Sequence, residues 1–363
     1  MDAGFYVPVR IVGGENCVRK GAQHFAPFGQ LALIVCGRSA ARNGALDDVK
    51  AALAANGQRS VVYDAIPQNP TVASVYEGAR IARENRVNFV VAIGGGSPMD
   101  AAKAIAMLAC QDAPEGLFAH PIGNAVLPMI HIPTTAGTGS EVTPYAIITN
   151  DEAQTKQSIS SPALFPHIAF LDGKYMAQLP QDITVNTAID AISHAVEGML
   201  SVRAGGMSDL FAKQALSLLM GEYESLLAGS YTPAGRQNLL YGSTLAGMVI
   251  ANTGTTPVHG MGYSLTYFHG VPHGRANGLL LPNFLKECEK IWKGSTAKVY
   301  DALGMDAQEF AQKIKALLGR HKKLPEETLR DYAARAAKNK NVRNCRVPFN
   351  EESLYAVLKR SVG

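Results

Sequence analysis

Apolar and polar positions in the first half of the chain alternate between two periods. Short apolar runs, typical of buried strands, are followed by stretches whose apolar positions recur every three or four residues, typical of helices. The predicted strands are 31–36, 60–66, 88–93 and 129–132, and the predicted helices are 46–55, 71–86 and 97–108. Because strands that alternate with helices form βαβ units, the pattern predicts a parallel sheet covered by helices. Residues 145–149 and 156–160 add a hairpin with an Asn-Asp turn.

Beyond about residue 178 the strand-like runs disappear and helical periods remain. The predicted helices there are 184–202, 208–227, 236–251, 283–291, 295–303, 307–318, 325–338 and 351–360. The chain is therefore predicted to be of the α/β class with two domains. Residues 1–178 form a doubly wound N-terminal α/β domain, and residues 179–363 form an all-helical C-terminal domain.

Composition and charge exclude several classes of function. The formal net charge is +4 over 363 residues, and no dense Lys/Arg stripe is interleaved with aromatic residues, so we expect no nucleic-acid partner. No apolar run approaches the roughly 18 residues of a membrane span, so we expect no membrane partner. The five cysteines are scattered without CxxC spacing, and the N-terminus lacks the pattern of a signal peptide. These features favour reduced thiols and a cytoplasmic location.

A glycine-rich turn follows the third predicted strand. After residues 94–96, which are all glycine, Ser97, Pro98 and Asp100 suit the N-cap, first and third positions of the next helix. Glycine lets backbone N–H groups approach a ligand, and a helix N-terminus attracts an anion such as a pyrophosphate. The spacing differs from G-x-G-x-x-G, so an ordinary tight turn is the alternative.

Two other strand ends carry polar groups. The first predicted strand is followed by Gly37, Arg38 and Ser39. In dinucleotide-binding folds, a basic side chain at this place suits an adenosine ribose with a 2′-phosphate, and an acidic side chain suits a ribose without one. An ordinary loop glycine beside a surface arginine is the alternative. Residues 133–141, rich in Thr and Gly, follow the fourth strand at the edge where such folds bind ligands, although a flexible loop has the same composition. His131 of that strand is interpreted as a satisfied core or sheet-edge residue and not as a ligand.

Four residues downstream form a candidate metal site. Asp190 and His194 are four residues apart, so they share one helix face, and their neighbours are apolar, where a buried charge needs a partner or a metal. His259 and His273 are separated by glycines and Pro272, so they belong to two successive elements. One carboxylate and three imidazoles suit iron, zinc, cobalt or nickel and leave a position for water or substrate. A surface hydrogen bond within an isolated D-x-x-x-H pair is the alternative.

Four segments occur together in one enzyme family. They are GGGSPMDAAKA at 94–104, PTTAGTGSEVTPYAIIT at 133–149, DAISHAVEG at 190–198, and the span from His259 to His273 that closes in PHG. In this combination the chain resembles the iron-containing (group III) alcohol dehydrogenase family, from about Val12 to Pro282. The resemblance implies a dehydroquinate synthase-like fold, in which the N-terminal domain binds a dinucleotide and the helical domain binds the metal.

The resemblance also implies roles for individual residues. The implied metal ligands are Asp190, His194, His259 and His273, with Fe²⁺ as the usual ion and Zn²⁺ as the alternative. The implied dinucleotide contacts are Gly95, Gly96, Ser97, Asp100, Thr134, Thr135, Thr138, Lys156 and Asn69, and the turn of Gly37, Arg38 and Ser39 joins them. Many NAD-using members carry Asp at the position of Gly37, so NADP(H) is favoured here over NAD(H).

The catalytic candidates are His273, His269 and Tyr263. Many members of the family carry a second histidine four residues after the first downstream ligand, and this chain has Tyr263 there. A proton-relay role assigned to that histidine therefore does not carry over directly. His269 is an additional histidine near the ligand span, interpreted first as a loop residue and second as a relay.

The expected function is a metal-dependent alcohol dehydrogenase or aldehyde reductase. It would transfer hydride between NADP(H) and small primary alcohols, diols or aldehydes. Alternatives are an NAD-dependent enzyme similar to glycerol dehydrogenase and a zinc enzyme similar to dehydroquinate synthase. The latter needs several basic groups for a phosphorylated acidic substrate, whereas Arg275 alone lies near the ligand span. We also expect a homo-oligomer, a dimer, to which residues 5–12 could supply an edge strand.

Overall fold

The computed structural model describes residues 4–319 and 321–363, which form two compact units. The sheet unit comprises residues 7–179 and 232–240. The helical unit comprises the described residues among 1–6, 180–231 and 241–363. Within the part of the helical unit that the structure describes, extended pairing is limited to one isolated bridge, between Ser201 and Cys345.

The sheet unit contains a six-stranded parallel sheet and a separate antiparallel hairpin. The strands are β1 Arg10–Gly13, β2 Leu31–Cys36, β3 Arg59–Tyr63, β4 Phe89–Gly94, β5 Met129–Pro133, β6 Tyr145–Asn150, β7 Thr155–Ser160 and β8 Ile168–Leu171. The helices among them are α1 Cys17–Lys20, α2 Ser39–Arg42, α3 Ala45–Ala55, α4 Val72–Glu84 and α5 Gly96–Leu108. The sheet order is β1-β8-β5-β4-β2-β3, and β6 pairs with β7.

Strand β2 shows why the apolar runs of the first half are continuous. Leu33 and Val35 pack with residues of α4 and α5 on one face, while Ala32 and Ile34 pack with α3 on the other. Successive side chains of a strand point to opposite faces, and a parallel sheet is covered on both, so every position favours an apolar residue. Each fully buried side chain of this size contributes about 1.5–3 kcal/mol relative to an exposed one.

The direction of the strand order changes between β2 and β4. From β2 the chain crosses to β3 through α3, and from β3 it returns to the other side of β2 through α4 on the opposite face. The helices that follow β2 and β4 therefore lie on different faces, which opens a crevice between the carboxyl ends of these two strands. Open α/β sheets bind their ligands at such a point.

Two strands of the sheet have no counterpart among the predicted ones. Both β1 and β8 are four residues long, and they pair with each other. β1 is mostly exposed, so its residues lack the apolar run that identified the others. It lies at one edge of the sheet and has β8 as its one strand neighbour in the described chain. The contribution of residues 5–12 to an oligomer stays a prediction.

Helices alone follow β8 in the described chain. They are α6 Gln181–Met199, α7 Gly206–Gly221, α8 Tyr223–Ala228, α9 Pro233–Thr253, α10 Pro257–His269, α11 His273–Ile291, α12 Ala297–Leu303, α13 Ala307–Leu318, α14 Glu326–Ala337, α15 Lys340–Arg343 and α16 Glu351–Val362. None of the described helices combines the length and apolar character that crossing a lipid bilayer requires.

Helix α10 was not predicted, and α11 begins at His273 rather than at residue 283. Gly260 and Gly262 within α10, and Pro282 within α11, lower the intrinsic helix propensity of both segments. Burial outweighs that cost, because most residues of both helices are buried. The prediction that His259 and His273 belong to two successive elements is confirmed.

Helix α11 lies unusually close to α6 because two of its residues lack side chains. A Cβ on Gly274 would lie 1.8 Å from the carbonyl oxygen of Asn186, and one on Gly278 would lie 2.4 Å from Cγ2 of Ile189. Only glycine allows two helix backbones to approach this closely. The approach sets His273, the first residue of α11, beside α6.

His131 is a core residue, as one of its two interpretations had it, but it is not satisfied by hydrogen bonds. It lies on β5, which has strand neighbours on both sides, and it is fully buried. Neither ring nitrogen has a hydrogen-bond partner among the described residues. Burial lowers the pKa of His131 well below its ordinary value, and the cation of Lys103 lowers it further.

The replacement His131→Leu is expected to make the protein less sensitive to acid. In the unfolded chain this imidazole takes up a proton below about pH 6.5, whereas the folded protein keeps it neutral, so wild-type stability falls as the pH drops below that value. The loss is about 1.4 kcal/mol per pH unit for one such group. Urea unfolding from pH 7 to pH 5 should show a difference of about 1–2 kcal/mol between the variant and wild type. Equal pH dependence in both proteins would show that the pKa of His131 is not lowered in the folded state.

Candidate metal centre and nucleotide site

The glycine turn after β4 and the threonine loop after β5 lie side by side in the sheet unit. Their strands are neighbours, and Gly94 pairs with Pro133 at the strand ends. A Cβ on Gly95 would lie 2.9 Å from Oγ1 of Thr135, and one on Gly96 would lie 2.8 Å from Cγ2 of Thr138. The two turns therefore meet so closely that only glycine fits in the first of them.

Asn69 and Lys156 belong to segments that join the same edge. The backbone N–H of Asn69 donates to Oγ of Ser97 at 3.2 Å, and its φ of 63° lies in the left-handed region that asparagine tolerates. Lys156 lies on β7 opposite Thr149, whose backbone N–H donates to the carbonyl of Pro70 at 2.8 Å. The hairpin is thus tied to the residues that follow Asn69.

Asp100 of α5 hydrogen-bonds to the segments that follow β5 at this edge of the sheet. Its Oδ1 accepts a hydrogen bond from the hydroxyl of Ser140 at 2.6 Å, and its Oδ2 accepts one from the backbone N–H of Ile147 at 3.0 Å. Lys103 donates to the same hydroxyl and to the carbonyl of Tyr145, and burial lowers the pKa of Lys103 to about 8. Asp100 thereby positions the threonine loop and the hairpin. Its direct contact with a dinucleotide stays a prediction.

Gly37 follows β2, next to the helix that the glycine turn begins. The one heavy atom within 4 Å of a Cβ placed there is Cγ of Pro98, at 3.9 Å, and the φ of Gly37 is not positive. A side chain at this position is therefore sterically allowed. Arg38 and Ser39 beside it are exposed. Neither backbone strain nor lack of space accounts for the glycine.

Within the helical unit, the four predicted ligands come together. Oδ1 of Asp190 lies 4.0 Å from Nε2 of His194, 3.6 Å from Nε2 of His259 and 3.9 Å from Nε2 of His273. The ligand atoms of Asp190, His259 and His273 all lie within 4.8 Å of one another, whereas His194 is outside that group and joins the set through Asp190. The side chain of His273 is 25% exposed, whereas the others are buried. Asp190, His194 and His259 are thus shielded from solvent, and solvent reaches the candidate site at His273.

The dimensions of this set fit one metal ion. Nitrogen and oxygen ligands about 2.1 Å from a tetrahedral ion lie about 3.4 Å from each other. The three oxygen–nitrogen distances, from 3.6 to 4.0 Å, are slightly longer. Imidazole and carboxylate together form a donor set for divalent iron, zinc, cobalt or nickel. The residues present therefore fit a first-row divalent cation.

Glu197 belongs to the same cluster and is not among the residues predicted from the sequence. It lies on α6 and is fully buried. Its Oε1 accepts a hydrogen bond from the backbone N–H of Thr256 at 2.8 Å, and its Oε2 contacts Nδ1 of His259. A signal was present in the sequence, because Asp190, His194 and Glu197 recur at helical spacing on one face.

The electrostatics of the cluster favour positive charge. Burial opposes ionisation of both Asp190 and His259. Nevertheless, the imidazoles of His194, His273 and His259 hold the pKa of Asp190 well below its usual value. Glu197 and Asp190 together raise the pKa of His259 to about 10. Surroundings that favour a proton on a buried imidazole also favour a cation at the same place.

Asn277 lies at the point towards which the ligand atoms are directed. Its Nδ2 is 2.9 Å from Oδ1 of Asp190, 3.1 Å from Nε2 of His259 and 3.3 Å from Nε2 of His273. An amide has two N–H groups, so it cannot satisfy all three atoms at once. Its Oδ1 is buried and has no hydrogen-bond partner in the described chain. A cation would compete with this amide for the same lone pairs.

Among the three catalytic candidates, Tyr263 and His273 lie in contact, whereas His269 contacts neither of them through the hydrogen bonds and ring contacts of the described residues. The ring of Tyr263 stacks on that of His273, with centroids 5.6 Å apart and planes inclined by 8°. His269 is the last residue of α10, ten positions beyond His259, which corresponds to about 15 Å along a helix. Its Nε2 hydrogen-bonds with the hydroxyl of Tyr332 at 2.8 Å. The geometry therefore gives no support to a direct relay through His269.

Family models match nearly the whole chain. The model of the iron-containing alcohol dehydrogenase matches residues 8–173, and the model of the C-terminal part of the Fe-containing alcohol dehydrogenase family matches residues 184–362. The chain belongs to the iron-containing alcohol dehydrogenase family. It is therefore an oxidoreductase of a family of alcohol and aldehyde dehydrogenases, as the resemblance of the four segments predicted.

Individual relatives agree with this assignment. Lactaldehyde reductase of Escherichia coli is 34% identical over 263 residues, which are 71% of this chain and 68% of the relative. The iron-containing alcohol dehydrogenase of Thermotoga maritima superposes with a TM-score of 0.89 at 32% identity, over 99% of both chains. Sulfoacetaldehyde reductase of Bifidobacterium kashiwanohense, solved with NAD+, has a TM-score of 0.89 at 27% identity and covers 100% of this chain and 99% of its own. The predicted fold class is confirmed.

Proposed function

We propose that the protein is an Fe²⁺-dependent alcohol dehydrogenase or aldehyde reductase. It would use NADP(H) and small primary alcohols, diols or aldehydes. The observation that carries the proposal is the position of Asp190, with one carboxylate oxygen 3.6 to 4.0 Å from Nε2 of three histidines. Such convergence of buried polar groups is stable only with a compensating charge.

The proposed metal ligands are Asp190, His194, His259 and His273. A divalent cation held there supplies Lewis-acid polarisation of an alcohol or aldehyde oxygen. The protein contributes the orientation of the ligands, because α6 fixes Asp190 and His194 one turn apart while α10 and α11 bring the other two. Since His273 lies on the accessible side, we place the substrate beside it and beside the stacked ring of Tyr263. Zn²⁺ suits the same donor set and is the alternative ion.

In the sheet unit, the proposed dinucleotide contacts are the turn of Gly95, Gly96 and Ser97, the loop of Thr134, Thr135 and Thr138, and the neighbouring Asn69, Lys156 and Asp100. A nicotinamide dinucleotide bound there supplies the hydride acceptor or donor. The chain offers the backbone N–H groups at the start of α5 to the pyrophosphate, at the point where the strand order changes direction.

The preference for NADP(H) is supported by this chain's own residues. Gly37 leaves space after β2, and the exposed Arg38 offers a positive charge to a 2′-phosphate. The preference for small substrates is supported by relatives whose names specify lactaldehyde and sulfoacetaldehyde. One of these relatives was solved with NAD+, so the NADP(H) preference depends on Gly37 and Arg38 alone.

Steady-state assays of wild type and Gly37→Asp, with short alcohols and aldehydes and with both coenzymes, test this function. Wild type is expected to use NADPH with a higher kcat/KM than NADH. The new carboxylate would face the 2′-phosphate, and like charges in contact cost several kcal/mol, so NADPH use should fall by about 100-fold relative to NADH. The NADH activity of each protein serves as the internal control, because the site has room for the side chain. A wild-type preference for NADH would contradict the coenzyme proposal, and no turnover with any alcohol or aldehyde would contradict the function.

A further inference from the structure

Glu197 has contacts that an ordinary buried carboxylate lacks. It is fully buried, and no lysine or arginine contacts its carboxylate among the hydrogen bonds and ion pairs of the described residues. Oε1 accepts from the backbone N–H and the hydroxyl of Thr256, both at 2.8 Å, and Oε2 contacts Nδ1 of His259. The charge of this buried carboxylate is therefore compensated at His259, which in turn lies beside Asp190.

The contact at Oε2 decides which nitrogen of His259 carries hydrogen. A neutral imidazole has one N–H and one lone pair, and a carboxylate can only accept. Nδ1 of His259 therefore keeps its hydrogen and donates it to Glu197. When a cation replaces the proton on Nε2, the lone pair is left on that nitrogen, 3.6 Å from Oδ1 of Asp190. A metal ligand must present a lone pair, so this is the tautomer that a cation beside Asp190 requires.

The contacts at Oε1 join Glu197 to the start of the helix that carries that imidazole. Helix α10 begins at Pro257, and its N-cap residue Thr256 makes no side-chain capping bond. Glu197 takes that place from α6, because Oε1 accepts from Thr256 and lies 3.4 Å from the backbone nitrogen of His259. A carboxylate at a helix N-terminus is favourable, since the positive end of the helix dipole lies there. One side chain thus joins the start of α10 to α6 and orients the ring that α10 carries.

We propose that Glu197 is a positioning residue of the metal site, which holds His259 as the Nδ1–H tautomer with Nε2 directed at the cation. This inference rests on the proposed function, since it needs an ion at Asp190. Two buried carboxylates, Asp190 and Glu197, together with three neutral imidazoles then balance a divalent cation. Metal-bound histidines commonly donate their second N–H to such a partner, and loss of the partner weakens binding.

The test is the metal affinity of Glu197→Gln, measured on the full-length apoprotein. Glutamine keeps the size of the side chain, but its carboxamide has one acceptor oxygen. If that oxygen accepts from Thr256, an NH₂ group faces Nδ1 of His259 and favours the opposite tautomer. If that oxygen instead accepts from Nδ1 of His259, the backbone N–H of Thr256 at the start of α10 loses its acceptor. Competition with a chelator for Co²⁺ should give a dissociation constant about 10–100-fold higher than that of wild type, with altered visible absorption of the bound Co²⁺.

Two further variants separate positioning of the ring from packing of the helix. Thr256→Val removes the hydroxyl bond to Oε1 and leaves the contact between Glu197 and His259. Glu287→Gln changes a buried carboxylate of α11 that binds Arg360 and Lys290 and has no histidine among its hydrogen-bond and ion-pair partners in the described chain. Both variants should lower the stability of the apoprotein in urea. Both should keep the Co²⁺ affinity within about 3-fold of wild type, which is small beside the change expected for Glu197→Gln.

The outcomes identify which idea fails. If wild type binds no Co²⁺, Zn²⁺ or Fe²⁺, the proposed function fails. If wild type binds the ion and Glu197→Gln binds it equally well, the function stands and the role of Glu197 is overturned. Equal weakening in Glu197→Gln and Thr256→Val would also overturn it, because Glu197 would then act through the packing of α10.

Discussion

Replacing His259 with alanine is expected to remove the metal ion and to lower turnover by about 1,000-fold or more. A cation at such a site contributes several kcal/mol to stabilisation of the developing charge, and each 1.36 kcal/mol corresponds to a factor of ten in rate. His259 is the most buried of the three imidazoles and lies nearest to Asp190. Elemental analysis after anaerobic purification, together with kcat for the best alcohol, measures both effects.

This variant also leaves Glu197 without its partner at Oε2, so its folded state is destabilised. Asp190→Asn avoids that difficulty, because it keeps the size of the side chain and the oxygen that accepts from Asn277. Both variants should lose the metal, and both should retain the far-ultraviolet circular dichroism of wild type. His131→Leu is the matched control, a buried histidine of the sheet unit that should keep metal and activity. Full metal content and wild-type turnover in either site variant would contradict the assignment of the ligands.

The second large effect is expected from Gly274→Ala, which adds one methyl group between α11 and α6. The new Cβ would lie 1.8 Å from the carbonyl oxygen of Asn186 and 2.9 Å from Cβ of Asp190. The clash is with backbone, so no rotation of a side chain relieves it, and α11 must move away. Overpacking of this kind costs about 1–3 kcal/mol and sometimes more. Because His273 is the adjacent residue, the movement should also weaken metal binding.

Gly206→Ala is the control for this prediction. Gly206 is the first residue of α7, and a Cβ there meets no atom within 4 Å. Alanine at such a position stabilises a protein by about 0.4–1 kcal/mol, chiefly by restricting the unfolded chain. Urea unfolding of both apoproteins and titration with Zn²⁺ compare them. If Gly274→Ala is as stable as Gly206→Ala and binds Zn²⁺ as wild type does, α11 does not depend on this approach.

The parts of the fold that the sequence predicted are those with a long or fully buried apolar pattern. Strands β2 and β4 are buried on both faces, and α13 has apolar positions at regular helical spacing, so their patterns are unambiguous. β1 is short and mostly exposed, and α10 contains two glycines, so neither has a pattern that local propensity identifies. α10 exists because tertiary burial outweighs its low propensity.

The candidate site also contains residues that a local sequence pattern identifies and residues that depend on the tertiary fold. Residues in short motifs, such as Asp190 with His194, are visible in the sequence because one helix carries both. Glu197 lies on the same helix face but acts on a residue 62 positions away, and that contact depends on where α10 begins. Asp100 had a recognisable place in the glycine turn, yet its bonds to Ser140 and Ile147 depend on how two distant loops fold onto α5. Sequence patterns specify faces of elements and do not specify which elements meet.

The proposed ligands come from α6 and from the consecutive helices α10 and α11, which lie well beyond α6 in the chain, and this has a consequence for the lifetime of the protein. An ion bound by the proposed ligands would act as a cross-link, because it would close the long loop between α6 and α10, which is otherwise free in the unfolded chain. A permanent cross-link of that span stabilises a fold by about 3–5 kcal/mol in the chain-entropy description. Binding that occurs only in the native state shifts unfolding by mass action in the same direction. If the proposed site is occupied in this way, the supply of the metal ion would govern how long each molecule escapes proteolysis as well as how fast it works.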